Sequence, residues 1–137
     1  MHDLCKCAEL QALPGLIDFL AVLASRGIRV IAVTNSTPAN VDLMLTAIGL
    51  NARFETVIFG ADCTRAKPHP DPYLAGLRFL GVRPENALIF EDSPAGVQAG
   101  VAAGVPVIAM ATTQAPATLR QLGASHVAQD YRGLLLI

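Results

Sequence analysis

The stretch Ala87-Leu88-Ile89-Phe90-Glu91-Asp92-Ser93-Pro94-Ala95-Gly96 places two adjacent carboxylates between an apolar run and a helix start. Open α/β sheets bind ligands beyond the carboxyl ends of their parallel strands. Ser93 can cap the following helix by accepting from a free backbone N–H, and Pro94 suits the first helical position, whose donor has no partner anyway. Glu91 and Asp92 are therefore expected at a rim rather than in a core. Paired carboxylates there suit a hard divalent cation, Mg²⁺ above all, which takes one or two carboxylates plus substrate phosphate. A solvated acidic loop beside a helix cap accounts for the same residues equally well.

Two other segments carry polar chemistry. Val33-Thr34-Asn35-Ser36 sets three small polar side chains where a strand ends. A hydroxyl and exposed backbone amides at such a turn can hold phosphate oxygens, while Asn35 can bond a second group nearby. Turn formation alone also selects Thr, Asn and Ser. Ala66-Lys67-Pro68-His69-Pro70-Asp71-Pro72-Tyr73 delivers Lys67 from a proline-stiffened loop, because each proline restricts the residue before it to extended conformations. A fixed ammonium facing Glu91 and Asp92 could neutralise both a carboxylate and a phosphate. An ordinary solvent-exposed lysine is the competing reading.

The elements that must position these residues alternate between strand and helix, the pattern of a parallel sheet with crossover helices. A first helix is expected over Leu16–Arg26, closed by Gly27, and a buried strand over Ile28–Val33. Thr37-Pro38 opens a helix with Val41, Leu45 and Ile48 on one stripe, ended by Gly49, and Thr56–Phe59 follows as a short strand. Asp71-Pro72 starts a helix through Leu80, stopped by Gly81, and Ala87–Phe90 reads as a strand. Ser93-Pro94 opens a helix that ends at Gly104, before a strand over Val105–Met110. A weaker helix near Ala117–Leu122 and a strand near Ser125–Val127 complete the pattern. Thr37-Pro38, Asp71-Pro72 and Ser93-Pro94 each read as a capping residue followed by Pro. In right-handed β-α-β units these helix starts gather at one sheet edge, where free N–H groups favour an anion.

At 137 residues the chain has the length of one domain, and residues 1–137 are read as such. Hydrophobic residues make up 53% of it, yet no apolar run reaches the ~18 residues of a membrane span. The excess fits fully buried parallel strands or a surface meant for another chain. A formal charge of −1, no basic block and no Trp argue against nucleic-acid binding. Cys5, Cys7 and Cys63 form an odd set without zinc spacing, which suits reduced thiols in a cytoplasmic protein. His2 beside Cys5 and Cys7 is a minor metal-site alternative, since His69 and His126 lie in unrelated contexts. No charged start followed by an apolar stretch marks an export signal.

In order and spacing, the three polar segments resemble the haloacid dehalogenase-like hydrolase superfamily, in its β-phosphoglucomutase-like and sugar-phosphate phosphatase branch. The resemblance runs from about Leu13 onward. It implies an α/β, Rossmann-like parallel sheet with crossover helices. Thr34 matches the second motif, whose hydroxyl binds the transferred phosphoryl group, joined by the backbone at Asn35 and by Ser36 beside it. Lys67 matches the third motif, a lysine that stabilises the charged nucleophile and phosphate, and thereby the one catalytic residue assigned. Glu91 and Asp92 match the fourth, which holds Mg²⁺. Gly96, Ala99, Gly100, Ala103 and Gly104 look like the small-residue helix and its exit. The implied ligand is phosphate or a small phosphorylated metabolite.

The first motif of that superfamily, a buried strand ending in Asp-x-Asp, has no counterpart here: no Asp-x-Asp occurs in the chain. Asp3 lies too close to Met1 to end a strand, and residues 1–12 look like a remnant of the cap or linker. The resemblance places the missing strand between Ile28–Val33 and Ala87–Phe90, which would leave two interior edges needing a partner. A homodimer or a strand-exchanged oligomer is one remedy. Phosphoryl transfer through an aspartyl-phosphate needs the attacking carboxylate, so the chain alone is expected to be inactive. The alternatives are a catalytically dead phosphate-binding module and a truncated gene product that persists as an oligomer.

Overall fold

The computed structural model describes residues 14–132 and Leu134. The proposed cap remnant and the His2, Cys5 and Cys7 alternative lie outside the described residues. Helix α1 (Leu16–Ser25) buries Leu16, Phe19 and Leu20 on one face, with Arg26 as its C-cap rather than its last turn. Strand β1 (Ala32–Thr34) leads into α2 (Pro38–Ile48), capped by Gly49, and then to β2 (Val57–Phe59). Helix α3 (Asp71–Leu80) precedes β3 (Ile89–Glu91), which feeds α4 (Pro94–Ala102). Strand β4 (Val107–Met110), helix α5 (Pro116–Gln121) and strand β5 (His126–Ala128) follow.

The alternation is that of an α/β fold, as expected, but the ladders are shorter and shifted. The strand expected over Ile28–Val33 pairs only at Ala32–Thr34, and Ile28 is 49% exposed. The strand expected over Ala87–Phe90 pairs at Ile89–Glu91, because Pro84–Asn86 forms a 3-10 turn that delays its start. Glu91 thereby becomes the last strand residue, and its burial overturns the expected rim position. Asp92 and Ser93 are also buried.

Two of the three helix starts are capped as expected. The hydroxyl of Thr37 accepts from the Asn40 N–H at 3.3 Å, and that of Ser93 from the Gly96 N–H at 3.0 Å. The third is not: Asp71 lies inside α3, and its carboxylate accepts from Arg65 at 3.2 Å. Pro70 stands at the cap position, where it has no side-chain oxygen to offer.

All ladders are parallel, but among the described residues they form two separate sheets, β1-β2 and β3-β4-β5. The interruption falls between β1 and β3. One core lies on the α1 side, where Phe19, Phe90 and Tyr131 meet with ring centroids 5.3–5.8 Å apart. A second core joins α4, β4 and α5 through Val97, Ala99, Val107 and Leu119. There α4 approaches so closely that a Cβ on Gly100 would stand 2.7 Å from Val107 Cγ2. The small residues of α4 are thus a packing requirement. Among the described residues no helix is long and apolar enough to cross a membrane.

Candidate active site

The loop that carries Lys67 is fastened before its side chain reaches anything. Asn35, one residue beyond β1, accepts from the Lys67 N–H through Oδ1 and donates to the Lys67 carbonyl through Nδ2, both at 3.2 Å. Gly60 makes room for this clasp, since a Cβ there would overlap Asn35 Oδ1. The Lys67-Pro68 peptide is cis. The second group that Asn35 bonds is therefore the Lys67 backbone.

From that anchor the Lys67 side chain runs inward and is wholly screened from solvent. Its Nζ donates to the Val33 carbonyl at 2.8 Å and pairs with Glu91 Oε2. The exposed-lysine reading is excluded by this burial. The Tyr73 hydroxyl donates to the same Glu91 oxygen at 2.5 Å, and the Tyr73 ring lies 4.9 Å from Nζ. Ser93 Oγ stands 3.4 Å from Glu91 Oε1 while accepting from Gly96. The carboxylate leans over the first turn of α4, where a Cβ on Gly96 would overlap it. A carboxylate at a helix N-terminus is stabilised by the free peptide N–H groups and the positive dipole end.

One ammonium thus ties the carboxyl end of β1 to that of β3. Thr34 and Asp92 each follow a residue that Lys67 touches, so all three belong to one end of the molecule. Thr34 is fully buried, and its Oγ1 accepts from the Ser36 N–H at 2.9 Å, which turns the chain out of the sheet toward α2. Ser36 is half-buried and Asn35 exposed at this turn. Thr34, Asn35, Ser36, Lys67, Glu91 and Asp92 are therefore brought together, but Glu91 does different work from that expected. Its Oε2 is held by Lys67 and Tyr73, so it serves as the lysine's counter-ion, and Asp92 is the carboxylate nearer the surface.

Tyr73 was not signalled as functional by the sequence. The only cue was its place in the first turn of α3, directly after the proline loop that ends in Asp71-Pro72. Among the described residues no cluster of three or more His, Cys, Asp or Glu side chains is present. With Glu91 engaged by Lys67 and Tyr73, Asp92 is the carboxylate that fits the donor set of Mg²⁺, a cation that binds through one or two carboxylates and completes its octahedron with water and substrate phosphate.

The chain as a whole is similar to known proteins. Residues 1–110 match the family model described as haloacid dehalogenase-like hydrolase. A phosphoglycolate phosphatase of Rhodospirillum rubrum is 36% identical over 121 residues, covering 88% of this chain and 50% of that protein. Hexitol phosphatase A of Escherichia coli is 39% identical over 101 residues, covering 74% of this chain and 46% of that protein. A haloacid dehalogenase family hydrolase from Deinococcus radiodurans, solved with bound phosphate and sodium, superposes with a TM-score of 0.83 at 29% identity, over 89% of this chain and 56% of that one. The chain spans about half the length of the relatives it matches. With motifs, fold and overall likeness in agreement, the chain belongs to the haloacid dehalogenase-like hydrolase family.

Proposed function

We propose that the chain supplies the phosphate-binding and Mg²⁺-binding part of a phosphatase or phosphomutase that acts on small phosphorylated metabolites. The observation that carries this reading is the buried Lys67 ammonium between the ends of β1 and β3, held by Val33 and Glu91. Lys67 and the Thr34 hydroxyl bind phosphoryl oxygens, with the main chain at Asn35 and Ser36 closing around them. Asp92 supplies the carboxylate for Mg²⁺, and Glu91 keeps Lys67 aimed beside it. When bound, the metal neutralises phosphate charge. The relatives named as phosphatases, and the bound phosphate in the Deinococcus radiodurans structure, support this ligand class.

No Asp-x-Asp occurs in the sequence, so the attacking carboxylate is not among these residues. Positioning and charge stabilisation alone cannot replace it in transfer through an aspartyl-phosphate. The same observation favours a second reading, a phosphate-binding module without turnover. Calorimetric titration with inorganic phosphate and Mg²⁺ tests what both share. Saturable binding that is weakened at least tenfold by Thr34→Val or Asp92→Asn is expected. Binding that ignores both substitutions overturns the site. Mg²⁺-dependent phosphate release from sugar phosphates, when a segment bearing Asp-x-Asp is added, then separates the enzyme from the silent module.

A further inference from the structure

Asn35 fixes the Lys67 backbone, yet a flexible four-carbon stem separates that anchor from the ammonium, so the head of the side chain needs a hold of its own. Tyr73 supplies part of it. Its hydroxyl donates at 2.5 Å to the Glu91 oxygen that Lys67 also bonds, and its ring lies 4.9 Å from Nζ. The tyrosine is itself rigidly delivered. Pro70 and Pro72 stiffen the segment between Lys67 and α3, and the Leu74 N–H closes the first turn on the Pro70 carbonyl at 2.9 Å. One turn further on, Gly76 lets α3 press against the chain entering β1: a Cβ there would stand 2.9 Å from Ile31 Cδ1. Tyr73 is buried at this contact.

We propose that Tyr73 is a positioning residue of the phosphate site: its hydroxyl keeps the Glu91 carboxylate bonded while the Lys67 ammonium turns from it toward a phosphate oxygen. The inference rests on the phosphate reading above and adds the residue that releases Lys67 for that task. An ammonium paired with a buried carboxylate is held back from any other anion, because its departure strands that carboxylate where water does not reach. A second donor on the same oxygen lowers this cost. Donation to a carboxylate also favours its charged form without the lysine, which loosens its claim on the ammonium. Ser93 is a weaker hold, at 3.4 Å and on the other carboxylate oxygen. Phenylalanine at position 73 would keep the ring and lack the donor. Tyr73 thus works through Glu91 and Lys67, so phosphate affinity depends on its hydroxyl while metal affinity at Asp92 does not.

Two titrations of the full chain test it: inorganic phosphate at fixed Mg²⁺ by calorimetry, and Mn²⁺ alone by electron paramagnetic resonance as the metal probe. In Tyr73→Phe the phosphate dissociation constant is expected to rise about tenfold, the effect of one hydrogen bond to a charged group, while Mn²⁺ binding is not weakened. Leu50→Val, at a buried position just past the far end of α2, is expected to lower stability and leave the phosphate constant unchanged. The chain holds two Tyr and no Trp, so tyrosine absorbance reports the contact directly. Saturating phosphate is expected to shift that absorbance in the parent and in Tyr131→Phe, and not in Tyr73→Phe. Parent-like phosphate affinity in Tyr73→Phe, with Thr34→Val weakened, overturns the inference and leaves the phosphate reading standing. Equal weakening of phosphate and Mn²⁺ binding means a loosened site and overturns it too. So does an equal loss in Leu50→Val, or an absorbance that ignores phosphate. A parent chain that binds no phosphate overturns this inference together with the phosphate reading.

Discussion

Lys67 and Glu91 form an ion pair whose two side chains are completely withdrawn from solvent, on segments 24 residues apart. Burying two charges is costly, and their attraction offsets that cost only when further hydrogen bonds complete both groups. Val33 completes the ammonium, and Tyr73 with Ser93 the carboxylate. Removing one partner strands the other. Lys67→Ala or Glu91→Ala should therefore each lose about 3–5 kcal/mol of stability in urea denaturation. The double variant Lys67→Ala with Glu91→Ala should lose less than the sum of the two, and strict additivity would contradict the pairing.

Tyr73→Phe keeps the ring beside Lys67 and removes only the hydroxyl that donates to Glu91. Hydrogen bonds to charged groups contribute about 1.5–3 kcal/mol, and a loss in that range is expected from the denaturation midpoint. A loss below a few tenths would show that the hydroxyl does not hold the carboxylate.

Gly96→Ala places a methyl group against the Glu91 carboxylate. Helix propensity alone favours Ala over Gly by about 1 kcal/mol. Overlap should reverse the sign and destabilise the chain by about 1–3 kcal/mol, since α4 is packed too closely on β4 to retreat. A thermal melt of the variant above the parent would refute the close approach.

Acid should weaken the fold through two surface pairs. The Arg29 guanidinium, bonded to Glu55 at 2.5 and 2.9 Å, holds that carboxyl below its usual 4.5. Arg132 does the same for Asp130, whose usual value is 3.8. A carboxyl that is more acidic when folded contributes stability above its unfolded pKa and loses it as pH falls through the folded one. Stability should thus decline as the pH drops below about 4.5, and less steeply in Glu55→Gln. Arg29 and Glu55 are both exposed, so salt should flatten the difference.

Burial pushes the Cys63 thiol above its usual 9.0, reinforced by the negative charges of Asp71 and Asp62. Its thiolate is therefore scarce near neutral pH. Iodoacetamide should label Cys63 several-fold more slowly than a free cysteine at pH 8, as read by site-resolved mass spectrometry. Labelling at the free rate would mean that the thiol is not shielded.

Several features were open to reading along the chain. Helices α2, α3 and α4 announce themselves through Pro near their starts and glycine close after their ends, as in Thr37-Pro38 with Gly49. Thr34 at the end of β1, Lys67 in a stiff loop and Asp92 just past β3 mark, in that order, the polar end of the strands. These signals are local: capping, proline stiffness and apolar runs act over a few residues. Strand limits were less legible, because pairing at Ala32–Thr34 and Ile89–Glu91 depends on which neighbours exist, not on the apolar run itself.

By its order of residues alone this chain determined its α/β alternation, its helix starts and the set of polar groups that meet at one sheet edge. Only tertiary structure decided that Glu91 is a buried partner for Lys67, that Asn35 clasps the Lys67 backbone across 32 residues, and that β1 and β3 stand apart. The reason is physical. A capping residue carries its partner within the next turn, whereas a buried charge takes whatever the packed layers bring to it from distant segments.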